Sequence, residues 1–186
     1  MAMPDTARRW TAAMVRELPD DGNRYEVVHG VLVVTPAPRD AHQPIAGELY
    51  YRLRLYLDRL DPRHRVLFSP ADISWDDETL VQPDLFVYPP EEHTGRWADI
   101  QTLLLAVEVL SPSSRRADRF IKRRLYQERN VGTYWMVDLE ARVVEVWHPG
   151  DETPEAVTGT LRWQVGAAAP VLEIPLSDLF QEVPPE

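Results

Sequence analysis

The chain of 186 residues contains no cysteine, which excludes disulfides, thiolate zinc sites, iron–sulfur clusters and a cysteine nucleophile together. Any metal ion must sit on oxygen or imidazole. Long apolar runs are also missing: the longest, residues 103–107, falls far short of the roughly 20 residues that cross a bilayer. The opening MAMPDTARRW has no apolar signal segment, so a cytoplasmic protein without membrane contact is expected. The eight glycines form neither a phosphate-cradling loop nor a dinucleotide fingerprint, and no serine sits in a nucleophile elbow. His29, His42, His64, His93 and His148 lack the paired helical spacing of a zinc hydrolase. Lysine is nearly absent: of 20 basic residues, only Lys122 is not arginine.

What is present describes an ordinary folded chain, with 44% apolar and 27% charged residues. The length suits one hydrophobic core. A single domain over 1–186 is expected, with its core at about 20–150 and an acidic, proline-rich extension at 150–186 packed on or near it. The net charge of −10 opposes coating of nucleic acid, but the charge is unevenly spread. Residues 111–130 hold seven basic residues against two acids, a local +5, whereas residues 150–186 hold seven acids and one arginine. Such a basic helix can meet a phosphate, or its arginines can simply solvate an outer face. Six tryptophans and seven tyrosines offer base stacking, but most lie in strand-like runs where packing uses them.

Apolar spacing predicts a short amphipathic helix over 6–17, with Trp10, Met14 and Leu18 inward. RYEVV and VLVVT, joined by His29 and Gly30, predict a hairpin ended by Pro36 and Pro38. Ile45, Leu49, Leu53, Tyr56, Leu57 and Leu60 mark the longest helix, from about residue 40 to 60. RVLFSPADISW, LVQPDLFVY and LLLAVEVL then read as three strands, the last central and covered on both faces. A helix over 115–129, capped by Ser113 or Ser114, precedes strands TYWMVDL and RVVEVWH. This order makes a mixed α/β sandwich, which by itself names no function.

Glu108 stands inside LLLAVEVL, where an unpaired buried carboxylate would cost several kcal/mol. An arginine partner, exposure at the strand end, or a bound cation would each relieve it. Asp84, after Pro83 and before LFVY, repeats the anomaly. Two acids on neighbouring strands can share a divalent ion, since Mg²⁺ takes one or two carboxylates and fills its shell with water and phosphate. Lys122 follows on the next helix, with Asp118 and Tyr126 on the same face at i−4 and i+4. A surface pair with Asp118 is the simple use of that lysine. Its compact ammonium is the alternative reason for escaping the arginine bias.

The segments RYEVVHGVL, QPDLFVY, LAVEVLSPSS and VGTYWMVD, with His42 and the spacing Asp118, Lys122, Tyr126, resemble the bacterial Uma family of restriction-endonuclease-like proteins, within the PD-(D/E)XK nuclease superfamily. The resemblance covers roughly residues 6–150. It implies a restriction-endonuclease-like fold, a mixed β-sheet core flanked by helices with an N-terminal hairpin and extra C-terminal strands. It also implies that Asp84, Glu108 and the Val109 carbonyl hold Mg²⁺ or Mn²⁺. In the superfamily a lysine lies two residues beyond the second acid, but that position here is Leu110. The resemblance therefore places the role on Lys122, with Glu26 as a metal or water ligand and His42 as a proton or phosphate contact.

The expected function is metal-dependent hydrolysis of DNA phosphodiester bonds. Arg115, Arg116, Arg119 and Tyr126 are the expected nucleic-acid contacts, and a homodimer suits the cutting of two strands. The alternative is a nuclease-fold module that binds nucleic acid or a protein partner without cutting, which Leu110 and the negative charge favour.

Overall fold

The computed structural model describes residues 9–36, 41–111 and 114–181, with no side chain for Arg116. Within them, alternation decides the layers. Strand β7 (Leu105–Val109) is buried along its whole length: Leu105, Val107 and Val109 join one apolar cluster, while Ala106 and the following Leu110 join another on the opposite face. This is the both-sides burial that the continuous apolar run predicts.

β7 is central in a six-stranded sheet ordered β10-β9-β8-β7-β6-β3. It pairs antiparallel with β6 (Leu85–Tyr88) and parallel with β8 (Tyr134–Asp138). β8 continues antiparallel to β9 (Val143–Trp147) and β9 to β10 (Glu155–Val157), while β3 (Arg65–Phe68) forms the other edge on β6. The parallel step needs a crossover, supplied by α3 (Arg115–Ala117), a π-helical turn (Asp118–Lys122) and α4 (Arg123–Glu128). Gly132, before β8, donates its N–H to the Leu103 carbonyl, and an added Cβ would lie 2.9 Å from the Leu104 carbonyl oxygen.

One face of this sheet carries α2 (His42–Leu60), whose Ile45, Leu49, Leu53, Tyr56 and Leu57 are buried as predicted. Strands β11 (Thr160–Trp163) and β12 (Leu172–Pro175) and helix α5 (Leu176–Leu179) add Trp163, Ile174 and Leu179 to the same cluster. The crossover helix and a second sheet, ordered β2-β1-β5-β4, cover the other face. The expected hairpin is there as β1 (Arg24–Val28) and β2 (Val31–Thr35).

Two expected strands are each divided. Residues 65–75 become β3 in the large sheet and β4 (Ile73–Asp76) in the small one, and residues 80–88 become β5 (Thr79–Val81) and β6. Pro70 and Pro83 lie at the two breaks, where a missing N–H interrupts a ladder. The first helix is also shorter: α1 (Ala12–Arg16) begins at Thr11, whose side chain accepts from the Met14 N–H; Ala12 and Val15 are its buried residues, Trp10 packs partly buried against their cluster, and Met14 is only half-buried. Residues 6–8, Pro38, Asp40, Pro112 and Ser113, all used in the sequence reading, lie outside the described residues. No described helix is long and apolar enough to cross a membrane.

Candidate active site

Period two along β7 turns Glu108 away from the α2 side, toward the crossover helix and β1. On β1 the same alternation places Arg24 and Glu26 on one face. The π turn winds wider than an α-helix, so Asp118, Lys122, Leu125 and Tyr126 are all buried while Phe120 is 67% exposed. These elements converge on one ammonium. Lys122 Nζ lies 2.7 Å from Glu26 Oε2, 3.0 Å from Glu108 Oε1 and 3.2 Å from Asp118 Oδ1. Tyr126 donates its hydroxyl to the same Glu108 oxygen at 3.1 Å. Glu26 Oε1 accepts the Gln82 N–H at 2.7 Å.

Asp84 sits beside this group, at the break before β6, and both its oxygens are engaged. Arg24 Nη2 reaches Oδ1 at 2.9 Å, and His42 Nε2 and the Val109 N–H each reach Oδ2 at 2.9 Å. A cavity of about 20 Å³ lies against Arg24, His42, Asp84, Glu108, Val109 and Lys122, room for about one water-sized occupant. The Val109 side chain packs on the opposite face, so the backbone is what it presents there.

The electrostatics follow from burial. Asp84 would be raised by desolvation, yet the His42 hydrogen bond and the Arg24 charge outweigh that and hold it at about 2. Glu108 goes the other way: burial, with Asp118, Asp84 and Glu26 nearby, overrides the Lys122 ammonium and pushes its carboxyl well above the ordinary range. Burial opposes the charge on Lys122, but Glu108, Glu26 and Asp118 hold it protonated. Four buried acids thus face two permanent cations, Arg24 and Lys122. A proton on Glu108 or a divalent cation in the cavity relieves the same negative excess. The oxygen donors of Asp84, Glu108 and the Val109 backbone suit Mg²⁺ or Mn²⁺ in kind. Among the described residues, no three His, Asp or Glu side chains are grouped to hold a metal by themselves.

Asp84, Glu108, Lys122, Glu26 and His42 are therefore brought together, with Glu26 on the lysine and His42 on Asp84. Tyr126 is a correction: it is fully buried and cannot meet nucleic acid from that position. Arg115 and Arg119 lie on the helix exterior but are paired. Arg115 contacts Asp138 and Glu140, and Arg119 contacts Asp138 and Glu145. The Arg116 side chain is outside the described set. Ser114 closes the turn after β7 through reciprocal bonds with Ser111 at 3.1 Å. Sequence reasoning missed Arg24 and kept Asp118 at the surface. The signals were available: Arg24 is one strand period from Glu26, and Asp118 is one helical turn from Lys122.

An acid at the head of β6, a second in β7 and a crossover helix facing them define a restriction-endonuclease-like α/β fold. The Uma2 family, described as "Putative restriction endonuclease", matches residues 12–177. The chain belongs to that family. It is also similar in structure to a "putative nuclease belonging to DUF820" from Anabaena variabilis ATCC 29413. The TM-score is 0.74 at 19% identity, over 91% of this chain and 97% of the other. No curated protein matches the sequence.

Proposed function

We propose that the chain is a metal-dependent endonuclease that hydrolyses DNA phosphodiester bonds. One observation carries this reading: a fully buried ammonium, Lys122, forms a wall of the small cavity whose other walls include Asp84, Glu108 and the Val109 backbone. Burying so much charge is expensive for a merely structural core.

Asp84, Glu108 and the Val109 carbonyl would hold Mg²⁺ or Mn²⁺, which supplies Lewis-acid polarisation of the phosphate when bound. Lys122, anchored by Glu26 and Asp118, orients the attacking water and offsets charge that builds on the phosphoryl oxygens. His42 and Arg24 fix the rotamer of Asp84, and Arg24 adds a guanidinium suited to a phosphate oxygen. Arg115 and Arg119 position the backbone by exchanging partly exposed ion pairs, which are individually weak, for phosphate contacts. A homodimer would set two sites on opposite strands, and a cytoplasmic location fits a DNA substrate.

The test is nicking of supercoiled DNA by the purified protein with Mg²⁺, with Mn²⁺ and with chelator. Cleavage that requires the metal and disappears in Glu108→Ala supports the enzyme. A non-catalytic binding module is the second reading. Leu110 stands where the superfamily has its lysine, and Asp84 already accepts from Arg24, His42 and Val109. Retained DNA binding without metal-dependent nicking would favour it.

A further inference from the structure

Beside the carboxylate cavity lies a larger cleft of about 210 Å³ that shares Arg24, His42 and Asp84 with it. α2, the end of β3 with Ser69, and Leu85 at the head of β6 form the remaining walls. Phe68 ends β3 and is 59% exposed, although each of its chain neighbours in the strand is at least partly covered. Tyr50 from α2 meets that ring edge-on, with centroids 5.3 Å apart and planes at 85°. The two side chains together present an aromatic face to the cleft.

Gly47 lies one turn before Tyr50, and apart from its chain neighbours and the helix's own backbone no described atom lies within 4 Å of the position a Cβ would take there. The helix thus leaves open space on this side. Gln43, one turn earlier still, is exposed at the rim, and its amide can both donate and accept. The cleft is tied to the acid through the backbone. Phe68 is the cross-strand partner of Leu85, and the Ser69 N–H donates to the Asp84 carbonyl at 3.2 Å. An occupant of the cleft would therefore lie beside whatever fills the carboxylate cavity.

We propose that this cleft takes one unstacked nucleobase of the strand whose phosphate lies at the mouth of the adjoining carboxylate cavity, so that the substrate class is single-stranded or unpaired DNA. The inference rests on the nuclease reading above. An aromatic wall with an amide at its rim, next to a small charged cavity whose cation and ammonium would face a phosphate at its mouth, is the chemistry of one nucleotide, base on one side and phosphate on the other. Stacking on Phe68 accepts any base, because every base has a π-face. A base in a continuous duplex must first leave its stack, and the free energy needed is least where the strand is already unpaired.

The test separates the base from the backbone. Binding of an oligothymidylate of about 12 nucleotides is compared by fluorescence anisotropy with an abasic sugar–phosphate chain of equal length. Ca²⁺ replaces Mg²⁺ as the hard cation on oxygen ligands. The wild type is expected to bind the base-bearing strand about tenfold more tightly, and to nick an unpaired bubble faster than matched duplex when Mg²⁺ is supplied. Phe68→Ala and Gly47→Leu should both bring the binding ratio toward one; thermal melting verifies that each variant is folded. A wild-type ratio near one, or a ratio that neither variant moves, overturns the base subsite. If metal-dependent cutting of duplex persists in that case, the nuclease reading stands without it. If no DNA is bound or cut at all, both readings fall.

Discussion

Lys122 Nζ stands 3.0 Å from Glu108 Oε1, joining a helical turn to the central strand across fourteen positions of sequence, with both side chains about 2% exposed. The lysine is the hub of three acids rather than half of a pair, because Glu26 and Asp118 reach the same ammonium. Its position on the crossover, not on β7, explains how Leu110 can pack in the apolar cluster without leaving Glu108 unpartnered.

Removing that ammonium strands several acids in a dry interior. Lys122→Met should lower unfolding stability by about 3–5 kcal/mol, read from urea denaturation at neutral pH. Adding Glu108→Gln should restore part of the loss through coupling between the two sites. Strict additivity of the two substitutions would show that they do not interact.

Acid should weaken the fold through Asp84. Its carboxyl is held at about 2, below its ordinary 3.8, so the stabilisation is complete above the unfolded value and is lost as pH falls through the folded one. The wild type should therefore lose most of about 2 kcal/mol more than Asp84→Asn between about pH 5 and pH 2.5. Parallel pH dependence in the two proteins would remove Asp84 as the source.

Metal binding should be visible without any nuclease assay. Mn²⁺ at about 100 times its dissociation constant should stabilise the wild type by about 2.7 kcal/mol, measured as a rise in melting temperature. Glu108→Gln should lose most of that increment. An equal rise in both proteins would place the ion elsewhere.

Gly132→Ala should destabilise the protein by about 1–3 kcal/mol, because the new methyl would sit 2.9 Å from the Leu104 carbonyl oxygen. That backbone belongs to the approach to β7, next to β8, so neither side yields easily. Equilibrium unfolding of the purified variant gives the value, and an unchanged midpoint would contradict the close approach.

Much of this arrangement was legible in the residues. The helix over 42–60 announced itself by its apolar period, and the burial of β7 by an unbroken apolar run. Glu108 and Asp84 stood out because a carboxylate in such company requires compensation, and Lys122 because it broke an arginine bias. The division of residues 65–75 and 80–88 between two sheets was not legible, although Pro70 and Pro83 marked both breaks. A proline shows where a ladder stops, not which sheet the next strand will join.

The sequence by itself determined the element types, the two-sided burial of the central strand and the need to neutralise acids within it, since periodicity and desolvation are properties of a local segment. Only the tertiary structure decided the partners. Asp84 is satisfied by Arg24 and His42, which lie 60 and 42 positions away, and Tyr126 is turned inward onto Glu108. Pairing of this kind depends on distances of about 3 Å between segments remote in sequence, and those distances exist only once sheet, hairpin and crossover have packed together.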